Sequence, residues 1–126
     1  MIGYTMVGSK DLKRSGDFYD KVLGVVGAKR SMEGDNFIVW SVTPDQPSFS
    51  VCLPHDGNEA SVGNGTMTAF NAMSPEQVQD IHAIAIENGA TDEGEPGERS
   101  PGFYMAYFRD PDGNKFGAFN FTGEIG

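Results

Sequence analysis

The chain has 126 residues, with nine Lys and Arg against eighteen Asp and Glu and a formal net charge of −9. That length suits one domain that needs no disulfide, and its single Cys52 has no internal partner, as expected of a reducing compartment. An acidic surface repels phosphate backbones, no apolar run approaches the ~20 residues of a membrane span, and residues 1–14 lack the basic-then-apolar order of a signal peptide, which sets nucleic acid and membranes aside and makes the cytoplasm the expected compartment.

In chain order, residues 2–8 read as a strand. Asp11 caps a helix from Leu12 to Leu23, because its carboxylate accepts first-turn N–H groups, and Gly24 stops it. Leu12, Tyr19, Val22 and Leu23 share its apolar face. Strands follow over 28–32 and 36–43 around Glu33-Gly34-Asp35. The stretch Asn36–Trp40 lacks clean alternation, as in strands covered on both faces. A turn at Thr43–Pro47 leads to a strand over 48–53 and a polar linker over 55–64.

Thr66–Ala72 then reads as a strand. Ser74-Pro75-Glu76-Gln77 is a helix start, with Ser at the cap, Pro at the first helical position and Gln three residues after the cap. Asn88-Gly89 ends that helix. Asp92, Glu93, Glu95 and Glu98, interrupted by Gly94, Pro96, Gly97, Pro101 and Gly102, read as a solvated acidic loop. Phe103–Arg109 and Lys115–Phe121 are strands joined by the Pro- and Gly-bearing turn Asp110–Asn114.

The order repeats. Tyr4-Thr-Met-Val lies seven positions before Asp11, and Met67-Thr-Ala-Phe lies seven before Ser74, both at an offset of 63. Such a period marks a duplicated strand–helix–three-strand unit. Charge is uneven between the halves: residues 1–63 carry six basic and eight acidic groups, and residues 64–126 carry three and ten.

The motifs Ser9-Lys10-Asp11-Leu12, Arg14-Ser15, Phe18-Tyr19, Leu23-Gly24 and Tyr107-Phe108-Arg109-Asp110-Pro111-Asp112-Gly113-Asn114, in this order and on a duplicated chain, resemble the vicinal oxygen chelate superfamily, also called the glyoxalase/bleomycin-resistance/dioxygenase superfamily. The resemblance spans residues 2–121. It implies an α+β fold of two βαβββ modules (1–54 and 65–126, with the linker 55–64) forming a cup-shaped mixed sheet within a single domain, 1–126. It also implies a homodimer.

Enzymes of that superfamily hold a divalent metal on the first and last strands of each module. Carried over, the four positions are Tyr4, Ser50, Met67 and Gly117. None is an ordinary ligand: metals of this kind take imidazole, carboxylate or thiolate. The expectation is therefore no metal and no cofactor, which removes the superfamily's usual way of polarising a substrate oxygen. His82 falls in the second helix and His55 in the linker, so neither replaces the missing ligands. Cys52 shares parity with Ser50, but an isolated Cys in an apolar strand is ordinarily inert.

The expected ligand-lining residues are Tyr4, Met6, Trp40, Ser50, Cys52, Met67, Tyr104, Tyr107 and Gly117. Trp40 and the tyrosines combine apolar bodies with polar tips, whereas Phe18, Phe70 and Phe108 are expected in the core. Arg99, the only basic residue of the 93–102 loop, either anchors an anionic ligand or, as expected here, pairs with Glu95 or Glu98. These features favour a metal-free binder of a drug or metabolite, with a planar cation suited to a neutral aromatic cup in an acidic chain. The alternatives are a lyase, isomerase or dioxygenase of the superfamily, using a displaced metal or acid–base chemistry by Tyr4 or Tyr107, and a module whose cup is filled core.

Overall fold

The computed structural model describes residues 1–123, so the last three residues of the second module lie outside the described residues. Both helix starts form as their side chains dictate. Asp11 accepts from the Arg14 N–H ahead of α1 (Leu12–Gly24), and Ser74 accepts from the Gln77 N–H ahead of α2 (Pro75–Glu87). Each satisfies a donor that the first turn leaves unpaired.

Around α1 lie β1 (Tyr4–Gly8), β2 (Lys29–Glu33), β3 (Phe37–Ser41) and β4 (Ser48–Cys52). Around α2 lie β5 (Thr68–Asn71), β6 (Thr91–Ser100), β7 (Phe103–Arg109) and β8 (Lys115–Phe121). The first sheet runs β1-β4-β3-β2 and the second β5-β8-β7-β6. In each, the first and last strands of the module pair in parallel and the other pairs are antiparallel. The duplication read at an offset of 63 is thus a repeated βαβββ topology. Within one chain it yields two separately hydrogen-bonded sheets.

One stretch departs from expectation. Residues 92–100, read as an acidic loop, belong to β6. This is an edge strand whose pairing with β7 shifts register three times, between Asp92 and Gly94, Gly94 and Gly97, and Glu98 and Ser100. Bulges at an edge accommodate Gly and Pro that a central strand would reject, so composition alone reads as loop.

One face of each sheet packs against its own module's helix, and the two helices pack against each other over a shared core. Tyr19 of α1 meets Trp40, Phe49 and Phe116 at ring-centroid distances of 5.5, 4.9 and 5.7 Å, and Phe49 meets Phe70 of the second module at 5.3 Å. Phe18 and Phe108 are buried there, as expected, and the partly buried Phe70 packs against this core through Phe49 and Phe116. The Asp110–Asn114 turn fastens the modules together. Tyr19 donates its hydroxyl to Asp110 at 2.6 Å, Asn114 donates to the Gly8 carbonyl at 2.9 Å, and Asp112 accepts from Lys10 N–H and Arg14. Burial raises the Asp110 carboxyl, against the hydrogen bonds from Tyr19 and Asn114. At Asp112 burial also pushes upward, but bonds from Lys10 N–H, the neighbouring serine hydroxyl and Arg14 outweigh it and lower the carboxyl.

Candidate functional site

Strand register assigns every side chain to one of two faces, because directly paired residues point the same way. In the first sheet Tyr4 pairs with Ser48, Met6 with Ser50, Gly8 with Cys52, and Cys52 and Ser50 with Phe37 and Val39. These residues form the face turned away from the helices, and Lys29 and Met32 of β2 join it. In the second sheet that outer face carries Ala69 and Asn71 of β5, Gly117 and Phe119 of β8, and Met105 and Tyr107 of β7.

Of the expected lining residues, Tyr4, Met6, Ser50, Cys52, Tyr107 and Gly117 thus lie on outer faces. Met67, just ahead of β5, reaches Gly117: its Sδ is 3.6 Å from where a Cβ on that glycine would stand. Trp40 and Tyr104 do not belong to this set. Trp40 pairs with Phe49 on the helix face, is 1% exposed, and donates its indole N–H to Asp20 at 2.9 Å. Tyr104 packs beside the core, and its hydroxyl accepts from Gln79 of α2 at 2.9 Å. Both polar tips do find partners, but on the other side of the sheet. Strands apolar on both faces offer no parity signal, and only the partner register reveals the side.

The four positions carried over as ligand sites offer little to a metal. Ser50 is fully buried and donates its hydroxyl to the Thr5 carbonyl at 2.6 Å. Gly117 lies under the Met105 methyl, Met67 offers a thioether, and Tyr4 an exposed phenol. Among the described residues no three His, Cys, Asp or Glu side chains converge. Burial raises the Cys52 thiol, which makes it a poorer nucleophile rather than an activated one. His82 pairs with Asp92 at 3.0 Å on the α2 side, as a histidine at the core edge would.

Tyr107 has the most elaborate surroundings. On either side its strand partners are glycines, Gly94 of β6 and Gly117 of β8. Its hydroxyl donates to Met105 Sδ at 3.2 Å, and the Arg99 guanidinium and Lys115 ammonium lie 5.7 and 5.5 Å from its ring centroid. Arg99 does not pair with the carboxylate of Glu95 or Glu98. It donates to the Glu95 main-chain carbonyl at 2.6 Å. Sequence reasoning missed Lys115 altogether; its signal is the cross-strand position beside a tyrosine, visible only once β7 and β8 are in register.

The two sheets turn their helix faces toward a common core, where Phe49 meets Phe70 and Phe116, so their outer faces point away from each other within a chain. A surface hollow of about 290 Å³ lies elsewhere, along α1 between Asp11, Arg14, Asp17, Lys21 and Asn88.

A duplicated βαβββ unit with paired first and last strands defines the two-module class of small α+β proteins that build sites on sheet faces. The chain belongs to the Glyoxalase/Bleomycin resistance protein/Dioxygenase superfamily, whose family model matches residues 1–117. It is similar in structure to a glyoxalase/bleomycin resistance protein from Albidiferax ferrireducens T118, at 40% identity and a TM-score of 0.88, covering 94% of this chain and 97% of that one. A superfamily enzyme from Burkholderia phytofirmans PsJN shares the fold at 21% identity and a TM-score of 0.75, with 94% and 97% covered. A lactoylglutathione lyase from Agrobacterium tumefaciens does so at 17% and 0.68, with 94% and 92% covered. Among curated proteins none matches the chain.

Proposed function

We propose that this protein is a metal-independent small-molecule binder of its superfamily, acting as a cytoplasmic homodimer. One observation carries the reading. The positions that would hold the metal bear Tyr4, Ser50, Met67 and Gly117, and the one hydroxyl buried among them, that of Ser50, already donates to a backbone carbonyl. Neither a thioether nor a glycine supplies the hard or borderline donors a catalytic divalent cation needs. What these positions do offer is a surface of thioether, phenol and bare backbone, suited to contact with an organic ligand.

The dimer follows from the outward direction of the two faces. In a single chain Tyr4, Met6 and Met67 are 66%, 47% and 42% exposed, and β1 and β5 are open edges. A second copy would bring the first-sheet face of one chain to the second-sheet face of the other and complete a cup. Elemental analysis of the purified protein should find no stoichiometric divalent metal, and Ni²⁺, Zn²⁺, Mn²⁺ or Fe²⁺ should not raise its melting temperature. A metal that binds only the folded state would stabilise it by about 2.7 kcal/mol at a hundred times its Kd, so tight binding would be visible and would overturn the proposal.

A further inference from the structure

The second half of the chain holds only three basic residues, Arg99, Arg109 and Lys115, against ten acidic ones. All three gather at one end of its outer face. Arg99 and Lys115 flank the Tyr107 ring, and Arg109 is the direct cross-strand partner of Lys115. Like charges opposite each other on a sheet are unfavourable. Arg109 is neutralised by Glu93 and also donates to the Gly113 carbonyl. Lys115 and Arg99 have no carboxylate partner among the described residues.

Of the acidic residues of β6, Glu93 reaches the outer face and is taken up by Arg109, while two others lie on the other side. Asp92 pairs across with Phe108, and Glu98 with Tyr104, both on the helix face. The outer face of the first sheet, which would close the cup, presents Tyr4, Met6, Phe37, Val39, three serines, Cys52, Met32 and Lys29 at its paired positions, with no carboxylate. The one carboxylate that reaches this face by an ion pair, Glu93, is taken by Arg109, which leaves Arg99 and Lys115 on it without a carboxylate partner in a chain of net charge −9. On this placement of charge the proposed cup is locally basic, where the sequence reading expects a neutral one.

We infer that the cup takes a small organic anion, a carboxylate or phosphonate held by Arg99 and Lys115 beside Tyr107, with its apolar body on the exposed Met67, next to the buried Met105 methyl. The assignment rests on the small-molecule reading above and reverses the sign of the ligand expected from net charge. Local geometry decides here: charges beyond about 8 Å are largely screened at physiological ionic strength, while cations at the contact are not. The remaining acidic surface excludes polyanions and admits a single small anion. Guanidinium matches the planar, two-oxygen edge of a carboxylate, and ammonium supplies a point charge suited to either acid.

The test uses the full-length protein with ¹³C-methyl methionine, titrated separately with benzoate, phenylphosphonate, benzyl alcohol and benzylamine. The Met67 and Met105 methyl signals should shift saturably with one or both anions. The preferred anion should bind at least about 5-fold more tightly than benzyl alcohol, the scale of one partly exposed charge contact, and benzylamine should bind more weakly still. Which of benzoate and phenylphosphonate binds better decides between the two acids. Arg99→Gln and Lys115→Gln should each cost the anion several-fold while leaving benzyl alcohol unchanged, with methyl dispersion confirming the fold. If benzyl alcohol or benzylamine shifts the same methyls as tightly as the anions, the anionic assignment is wrong and the small-molecule site stands. Failure of all four probes to move these methyls overturns both.

Discussion

Trp40 and Asp20 show how one side chain's surroundings determine its role. The indole N–H of the only tryptophan donates to Asp20, which also accepts from Arg30 Nε and Nη2, each at 2.9 Å. The hydrogen bond to Arg30 is the main reason the Asp20 carboxyl lies below its ordinary value, with burial opposing and Trp40 assisting. A carboxyl lowered in the folded state contributes stability that is present above its unfolded value of about 3.9 and is lost as pH falls through the lower folded value. Asp110, raised by burial, contributes with the opposite sign, so its stability falls as pH rises through that range. Comparing wild type with Asp20→Ala cancels the Asp110 contribution. The variant strands a buried indole N–H and should lose about 1–3 kcal/mol at neutral pH. Urea unfolding followed by Trp40 fluorescence should show that gap narrowing as the pH is lowered below 4. A gap unchanged between neutral and acidic conditions would mean the Asp20 charge contributes nothing.

Among the elements, the proposed anion site draws Arg99 from β6, Tyr107 from β7 and Lys115 from β8, and glycines set the space around it. A Cβ on Gly94 would stand 2.9 Å from Tyr107 Cδ2 and 3.3 Å from Arg99 Nη2. Gly94→Ala must therefore displace the ring and the guanidinium together. Benzoate affinity should fall several-fold, with a stability loss near the low end of the roughly 1–3 kcal/mol of overpacking. A Cβ on Gly117 would crowd only the flexible tip of Met105, with Cε at 3.1 Å, and would stand in ordinary contact with Ala69 Cβ and Met67 Sδ at 3.6 Å. Gly117→Ala should change stability by less than about 1 kcal/mol, since methionine yields easily. Parallel calorimetry of the two variants checks the contrast; equal benzoate losses would remove the special place of Gly94.

The same elements mark what a sequence can disclose. Both helices, their caps at Asp11 and Ser74, and strands β7 and β8 rest on local signals: a capping oxygen, an apolar period, a Pro-Gly turn. The sidedness of Trp40 and Tyr104 rests on partners far along the chain, and β3 and β7 are apolar on both faces. β6 escaped because its bulged edge tolerates Gly and Pro. The pairing of Arg99 and Lys115 about Tyr107 escaped because three strands, β6, β7 and β8, must be in register before it exists.

At the scale of the whole molecule, sidedness of charge and sidedness of apolar surface point to the same faces. Most of the carboxylates that make the chain acidic lie on helices, loops and the helix-facing sides of β2 and β6, and Glu93, which reaches the outer face, is paired with Arg109. The outer faces keep cations and exposed apolar side chains. An unpaired apolar face in water favours a partner, and a stable interface covers about 800 Å² on each side. Light scattering of the wild-type protein at micromolar concentration should give twice the 13.6 kDa chain mass. Met6→Glu puts a carboxylate on the half-exposed first-sheet face and should yield a monomer with unchanged helical circular dichroism, because Met6 lies outside the shared core. The monomer retains Arg99, Lys115 and Tyr107 but lacks the opposing wall. Benzoate should still bind it in preference to benzylamine, more weakly than it binds the dimer. A wild-type protein that is already monomeric would remove the second wall and leave the second sheet alone to bind the anion.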